Sequence, residues 1–218
     1  MNIIKPQIKL IDTNIDETLN KIEKAARICY NSKCNRETRD TFIKGLIKSG
    51  HESCLEHSSI TFKIICSRSC LAQLSRHRLI SLNVQSQRYV DYTKDKNGNG
   101  NIKFIIPNTF YSRKDDNDRD NSAIDPLITQ YLEDIEEKYI KLINLHYKPE
   151  DARCILPNAT ATELYLTVNY RELRHILKLR LDSHAQHEIR YIFSLIYDKL
   201  EELYPNNPIL YDIKRDII

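Results

Sequence analysis

From Arg76 to Tyr89 the chain reads Arg-His-Arg-Leu-Ile-Ser-Leu-Asn-Val-Gln-Ser-Gln-Arg-Tyr. These fourteen residues hold three arginines, a histidine, two serines and three carboxamides, and no acid. Positive charge at this density is costly to assemble unless something negative docks against it. A guanidinium offers paired, charge-assisted hydrogen bonds, and with neighbouring hydroxyls it suits phosphate oxygens. Leu79, Leu82 and Val84 interleave with the polar groups, which predicts packing rather than a solvated basic loop. The segment reads as a site for a phosphorylated ligand. Ser86 reads as a phosphate contact and not as a nucleophile, because no Gly-x-Ser-x-Gly elbow surrounds it and its neighbours are amides and arginines.

A second constellation lies downstream. Asn169 ends a stretch with strand alternation, and Arg171 and His175, four apart, fall on one face of the helix that follows. Arg180 closes the apolar run Ile176-Leu177-Leu179, where a guanidinium needs an anion. That anion is either a nearby acid such as Asp182 or a ligand. His51, Glu56 and His57, and likewise His184, His187 and Glu188, do not follow His-Glu-x-x-His spacing, so no metal is assigned. His184 and His187, three apart, share a face if both are helical. Four glycines cannot supply G-x-G-x-x-G, so any dinucleotide must be held by side chains.

The chain has 218 residues, 41% hydrophobic and 29% charged, consistent with one compact domain over residues 1–218. A net charge of +3 is too small to define a nucleic-acid surface, and the positive character is local to the motif. No apolar run is long enough to cross a membrane and the N-terminal segment lacks a signal-peptide core, so the expectation is a cytoplasmic protein without a membrane partner. Six cysteines are scattered through apolar or helical patterns and read as buried, reduced thiols.

Apolar periodicity predicts helices over 16–30, 37–48, 67–76, 126–146, 171–180 and 184–203. It predicts strands over 59–66, 89–90, 104–106 and 162–169. Gly50 is placed to cap the second helix. Residues 94–100, with two of the four glycines, read as a flexible turn, and 112–125, crowded with charge, as a solvated loop. The fold class is therefore α+β, with a mixed or antiparallel sheet flanked by helices.

Arg76-His77-Arg78, seven residues and then Ser86, followed by Gln87-Arg88-Tyr89, resembles the signature of the flavin-dependent thymidylate synthases. His51-Glu52-Ser53-Cys54-Leu55-Glu56-His57 with Thr61-Phe62 upstream is similar to the same family. So, in order, are Arg153-Cys154-Ile155-Leu156-Pro157, Asn169 to His175, Leu179-Arg180 and Ala185 to Arg190. The resemblance implies FAD contacts from Ser53, Arg76, His77, Arg78, Asn169, Arg171 and His175. It implies dUMP contacts from Gln73, Arg76, Ser86, Gln87, Arg88, Arg153 and Arg180. Arg180 is further implied as the catalytic residue that stabilises uracil deprotonated at N3. The implied reaction is reductive methylation of dUMP to dTMP in a homotetramer, with 5,10-methylenetetrahydrofolate as carbon donor and NADPH as reductant. Val84 departs from the family pattern, which often has Glu or Gln there, so no side-chain hydrogen bond is expected from that position. The rival reading is a nucleotide- or RNA-binding module in which Tyr89 and Tyr92 stack on bases.

Overall fold

In the computed structural model, residues 1–12, 14–94, 102–111 and 124–214 are described. Most of both polar loops read from the sequence, 94–100 and 112–125, lies outside them. The elements in chain order are β1 Asn2–Ile3, β2 Gln7–Leu10, α1 Ile15–Ile28, α2 Arg39–Lys48, β3 Ser59–Ser67 and α3 Arg68–Leu74. There follow β4 Ile80–Val84, β5 Lys103–Phe104, α4 Pro126–Asn144, α5 Pro149–Ala152, β6 Ala161–Asn169, α6 Tyr170–Arg180 and α7 His187–Leu203. The main sheet has the order β2-β3-β6-β4, and β1 pairs in parallel with β5. The class is α+β, as the periodicity indicates.

By compactness the chain divides into two units. The first comprises Met1–Pro6, Ile65–Ala72 and Val84–Glu163, and the second Gln7–Ile64, Gln73–Asn83 and Leu164–Ile218. In the first unit Ile102, Phe104 and Ile106 pack with Leu132 and Tyr139 of α4 and with Ala152. Helix α4 starts where the sequence places it: Asp125 accepts a hydrogen bond from the Leu127 N–H at 2.8 Å, and Pro126 occupies a position that needs no donor.

In the second unit, α1 begins at Asn14, whose side chain accepts from the Glu17 N–H, and buries Leu19, Ile22 and Ala26. Just past the end of α2, Gly50 takes φ 73°, the left-handed conformation that lets the Gly50 and His51 N–H groups reach Ile47 and Leu46 carbonyls. In α7 the stripe Ile189, Ile192, Ile196 and Leu200 is fully buried. Strand alternation is equally plain: Ile60, Phe62 and Ile64 of β3 and Leu164, Leu166 and Val168 of β6 point inward.

Several expectations are corrected. Tyr89-Val90 is a turn, with Tyr89 79% exposed, and the strand expected over 104–106 covers only Lys103–Phe104. Strand β4 runs through the arginine motif, where no strand was expected: Ile80, Leu82 and Val84 alternate with exposed Ser81 and Asn83. Leu79 does not pack: it stands 69% exposed in the turn before that strand. All six cysteines are free, but Cys29, Cys34 and Cys154 are exposed and only Cys54, Cys66 and Cys70 are buried.

Candidate active site

The second unit contains Ser53, Gln73, Arg76, His77, Arg78, Asn169, Arg171, His175 and Arg180. Helix α3 ends at Leu74, and the Arg76 and His77 N–H groups turn back to Gln73 and Leu74 carbonyls, which sends the chain into β4. This turn puts Arg76 and Arg78 outside and His77 inside, 8% exposed. Among the described residues neither Arg76 nor Arg78 has an acidic partner. Arg78, Ser59, Ser81 and Asn169 line an open cavity of about 330 Å³ whose remaining lining is also free of acids. Gln73 donates to Gln186 at 2.9 Å.

Asn169 closes β6 and caps α6, its side chain accepting from the Glu172 N–H at 2.9 Å. The cap sets the phase of the helix: Arg171 and His175 lie on the exposed face, while Leu173, Ile176 and Leu177 are buried. Arg171 pairs with Glu56 in the short 3-10 turn Ser53–His57, whose first residue is the exposed Ser53.

Arg180 does not pair with Asp182, which is bonded to His184. Its Nε donates instead to His77 Nε2 at 3.0 Å. An imidazole nitrogen accepts only when it carries no proton, so His77 is neutral with its proton on Nδ1. Burial, the Arg180 charge and His175 agree, pushing the His77 pKa down from 6.5 to about 4. The Glu172 carboxylate, 4.0 Å from His77 Nδ1, faces that N–H without forming an ion pair. Among the described residues neither Nη group of Arg180 has a partner, so both can meet a further acceptor. Leu179, read as part of an apolar face, is 49% exposed.

The first unit holds Ser86, Gln87, Arg88 and Arg153. Ser86 accepts from the Arg88 N–H at 3.2 Å through its hydroxyl and from the Val90 N–H at 3.0 Å through its carbonyl, which makes a tight turn. Arg88 extends outward over the Tyr89 ring, 5.4 Å from its centroid, and lies 3.5 Å from the Glu150 carboxylate. Arg153 Nε donates to the Glu150 carbonyl at 3.0 Å. Glu150 thus touches both arginines. It was not legible in the sequence, since α5 is too short to show a period.

Two further points separate structure from sequence. Helix α7 begins at His187, so His184 sits in the preceding turn on Asp182 and the two histidines share no helix face. Arg174, between Arg171 and His175, is 1% exposed and bonded to Glu52, Asp212 and the carbonyls of Ile209 and Tyr211. Its place on the face of Leu173 and Leu177 is the signal that marks it as a strut.

In this α+β chain an exposed arginine, Arg78, without an acidic partner among the described residues, lines an acid-free cavity, an arrangement suited to an anion. Residues 9–206 match the sequence profile of the thymidylate synthase complementing protein family. The chain is 36% identical over 172 residues to a flavin-dependent thymidylate synthase of Pyrococcus abyssi and 39% identical over 155 residues to that of Pyrococcus furiosus. These alignments cover 78% and 71% of this chain but 65% and 58% of the relatives, so the chain spans less than two thirds of their length. A third relative, from Pseudothermotoga lettingae, is 36% identical over 186 residues, covering 84% of this chain and 79% of its own. The crystal structure of the UMP/dUMP methylase PolB from Streptomyces cacaoi, bound with 5-Br dUMP, matches with a TM-score of 0.77 and 26% identity over 96% of each chain. The protein belongs to the thymidylate synthase complementing protein family. Among the described residues no helix is long and apolar enough to cross a membrane.

Proposed function

We propose that this protein catalyses the reductive methylation of dUMP to dTMP, as a cytoplasmic homotetramer using 5,10-methylenetetrahydrofolate, FAD and NADPH. The observation that carries the reading is the hydrogen bond from Arg180 into a neutral, buried His77, flanked in sequence by two exposed arginines that no acid among the described residues neutralises. A bound flavin would supply the hydride. The donor set suits it: Arg78, Ser81 and Asn169 line the cavity and offer cationic and polar groups to an anionic, hydrogen-bonding molecule, and Arg76, Ser53, His175 and Arg171, the last in exchange for its exposed partner Glu56, are its further contacts.

The roles of the chain's own residues follow from their chemistry. Arg88, Arg153 and Ser86 grip the substrate phosphate, with Gln73, Arg76 and Gln87 as further dUMP contacts. The exposed Arg88–Glu150 pair is worth less than about 1 kcal/mol, so a phosphate dianion displaces it. Arg180 places its Nη groups against the uracil ring and stabilises the negative charge left when N3 loses its proton. His77 accepts from Arg180 and gives no proton to the ring.

Protein supplied with FAD should retain flavin absorbance through purification and convert dUMP to dTMP when given 5,10-methylenetetrahydrofolate and NADPH. A colourless protein that makes no dTMP and binds single-stranded RNA with a steep salt dependence would replace this reading with the nucleic-acid one.

A further inference from the structure

Ser86, Gln87 and Arg88 form the end of the arginine motif, and Gln87 is its buried member, 9% exposed between a half-buried Ser86 and an exposed Arg88. A buried carboxamide must be satisfied at its oxygen and its nitrogen separately. Gln87 Oε1 accepts from Arg68 Nη2 at 3.0 Å. An arginine only donates, so this contact fixes the amide with its oxygen towards Arg68 and its N–H groups away. The same guanidinium donates from Nη1 to Thr162 Oγ1 at 3.1 Å and lies 3.5 Å from the Gln85 carbonyl. Arg68 is itself anchored as the first residue of α3, its N–H bonded to the Thr160 carbonyl at 3.0 Å. Every partner of its side chain among the described residues is a neutral oxygen, so the charge is spent on holding the turn and not on an ion pair.

We propose that Arg68 is a positioning residue for the substrate phosphate. It pins residues 85 and 87 on either side of Ser86, so that the Ser86 hydroxyl and the Arg88 guanidinium start from a fixed turn. It acts through Gln87 and touches no substrate. A turn held in advance spares the ordering cost that a loose one incurs on binding. The inference rests on the reading that Ser86 and Arg88 receive the phosphate of dUMP.

The test uses flavin-loaded Arg68→Met, which keeps length and loses every donor, beside Arg68→Lys, which keeps one. Titrations with dUMP and with deoxyuridine, which lacks the phosphate, separate the two contributions. Arg68→Met should weaken dUMP about tenfold, the scale of ordering one loosened residue on binding. Deoxyuridine affinity, flavin content and kcat at saturating dUMP should stay unchanged, and Arg68→Lys should recover part of the loss. Equal weakening of dUMP and deoxyuridine with loss of flavin, or dUMP affinity unaltered in both variants, overturns the proposal. A wild-type enzyme that makes dTMP but prefers dUMP no more than deoxyuridine overturns the phosphate assignment, and this proposal with it, while leaving the reaction standing.

Discussion

The hydrogen bond from Arg180 Nε to His77 Nε2 uses one edge of the guanidinium and leaves the Nη groups for a ligand. Arg180→Lys keeps the charge but cannot serve both partners, so fold and flavin should persist while turnover falls roughly a hundredfold. Rapid mixing of reduced enzyme with dUMP and folate reads this directly, and an unchanged rate with only a raised dUMP requirement would make Arg180 a plain binding residue. His77 has a second consequence. With its pKa near 4 in the folded chain and 6.5 when unperturbed, the unfolded chain binds a proton that the folded one refuses between those values. Stability should therefore fall as pH drops from 6.5 to 4, by at most about 3 kcal/mol, and this contribution should level off below 4. Urea unfolding across that window should give a shallower slope for His77→Asn than for wild type. Arg88→Ala should weaken dUMP by about 1.5–3 kcal/mol and leave flavin content alone, since the lost group is a charged donor; loss of flavin with dUMP affinity intact would reverse the assignment. The arginines were legible because charge without acids is visible in sequence. The His77–Arg180 pair was not, because the partners are 103 residues apart and no spacing links them.

Helix α6 shows what a single element adds to its residues. The Asn169 cap fixes its phase, so that one arginine, Arg171, faces out and another, Arg174, is buried three positions later. The Arg171→Ala/His175→Ala double variant should purify partly colourless with its circular dichroism unchanged. A fully yellow double variant of normal flavin affinity would reduce both to helix surface. The longer helices were readable from their apolar period, and β3 and β6 from strict alternation. Strands β1 and β2 were not, because two and four residues are too few to alternate, and β5 was read only in part, one residue out of step at its start. Strand β4 was masked by the charges on both sides of it. Tyr89-Val90 misled by composition alone: strand-forming side chains make no strand without a partner, and here the Val90 N–H turns back to Ser86.

At the scale of the whole molecule, each unit has its own buried anchor, and the second depends on Arg174. Arg174→Ala strands two carbonyls and removes a fully buried side chain, while its partners Glu52 and Asp212 keep 24% and 43% side-chain exposure. Partial solvation of those acids puts the cost at the low end for a broken buried pair, about 3 kcal/mol, measurable by urea unfolding of the flavin-free protein. That burial was legible only once α6 had a phase. Anaerobic single turnover tests whether the bound flavin drives the methylation. Enzyme with its flavin reduced beforehand is mixed with dUMP and 5,10-methylenetetrahydrofolate, and flavin absorbance and dTMP are followed together. The flavin should reoxidise only when both substrates are present, with one dTMP formed per flavin. Formation of dTMP by flavin-free protein, or reoxidation without dTMP, would contradict it.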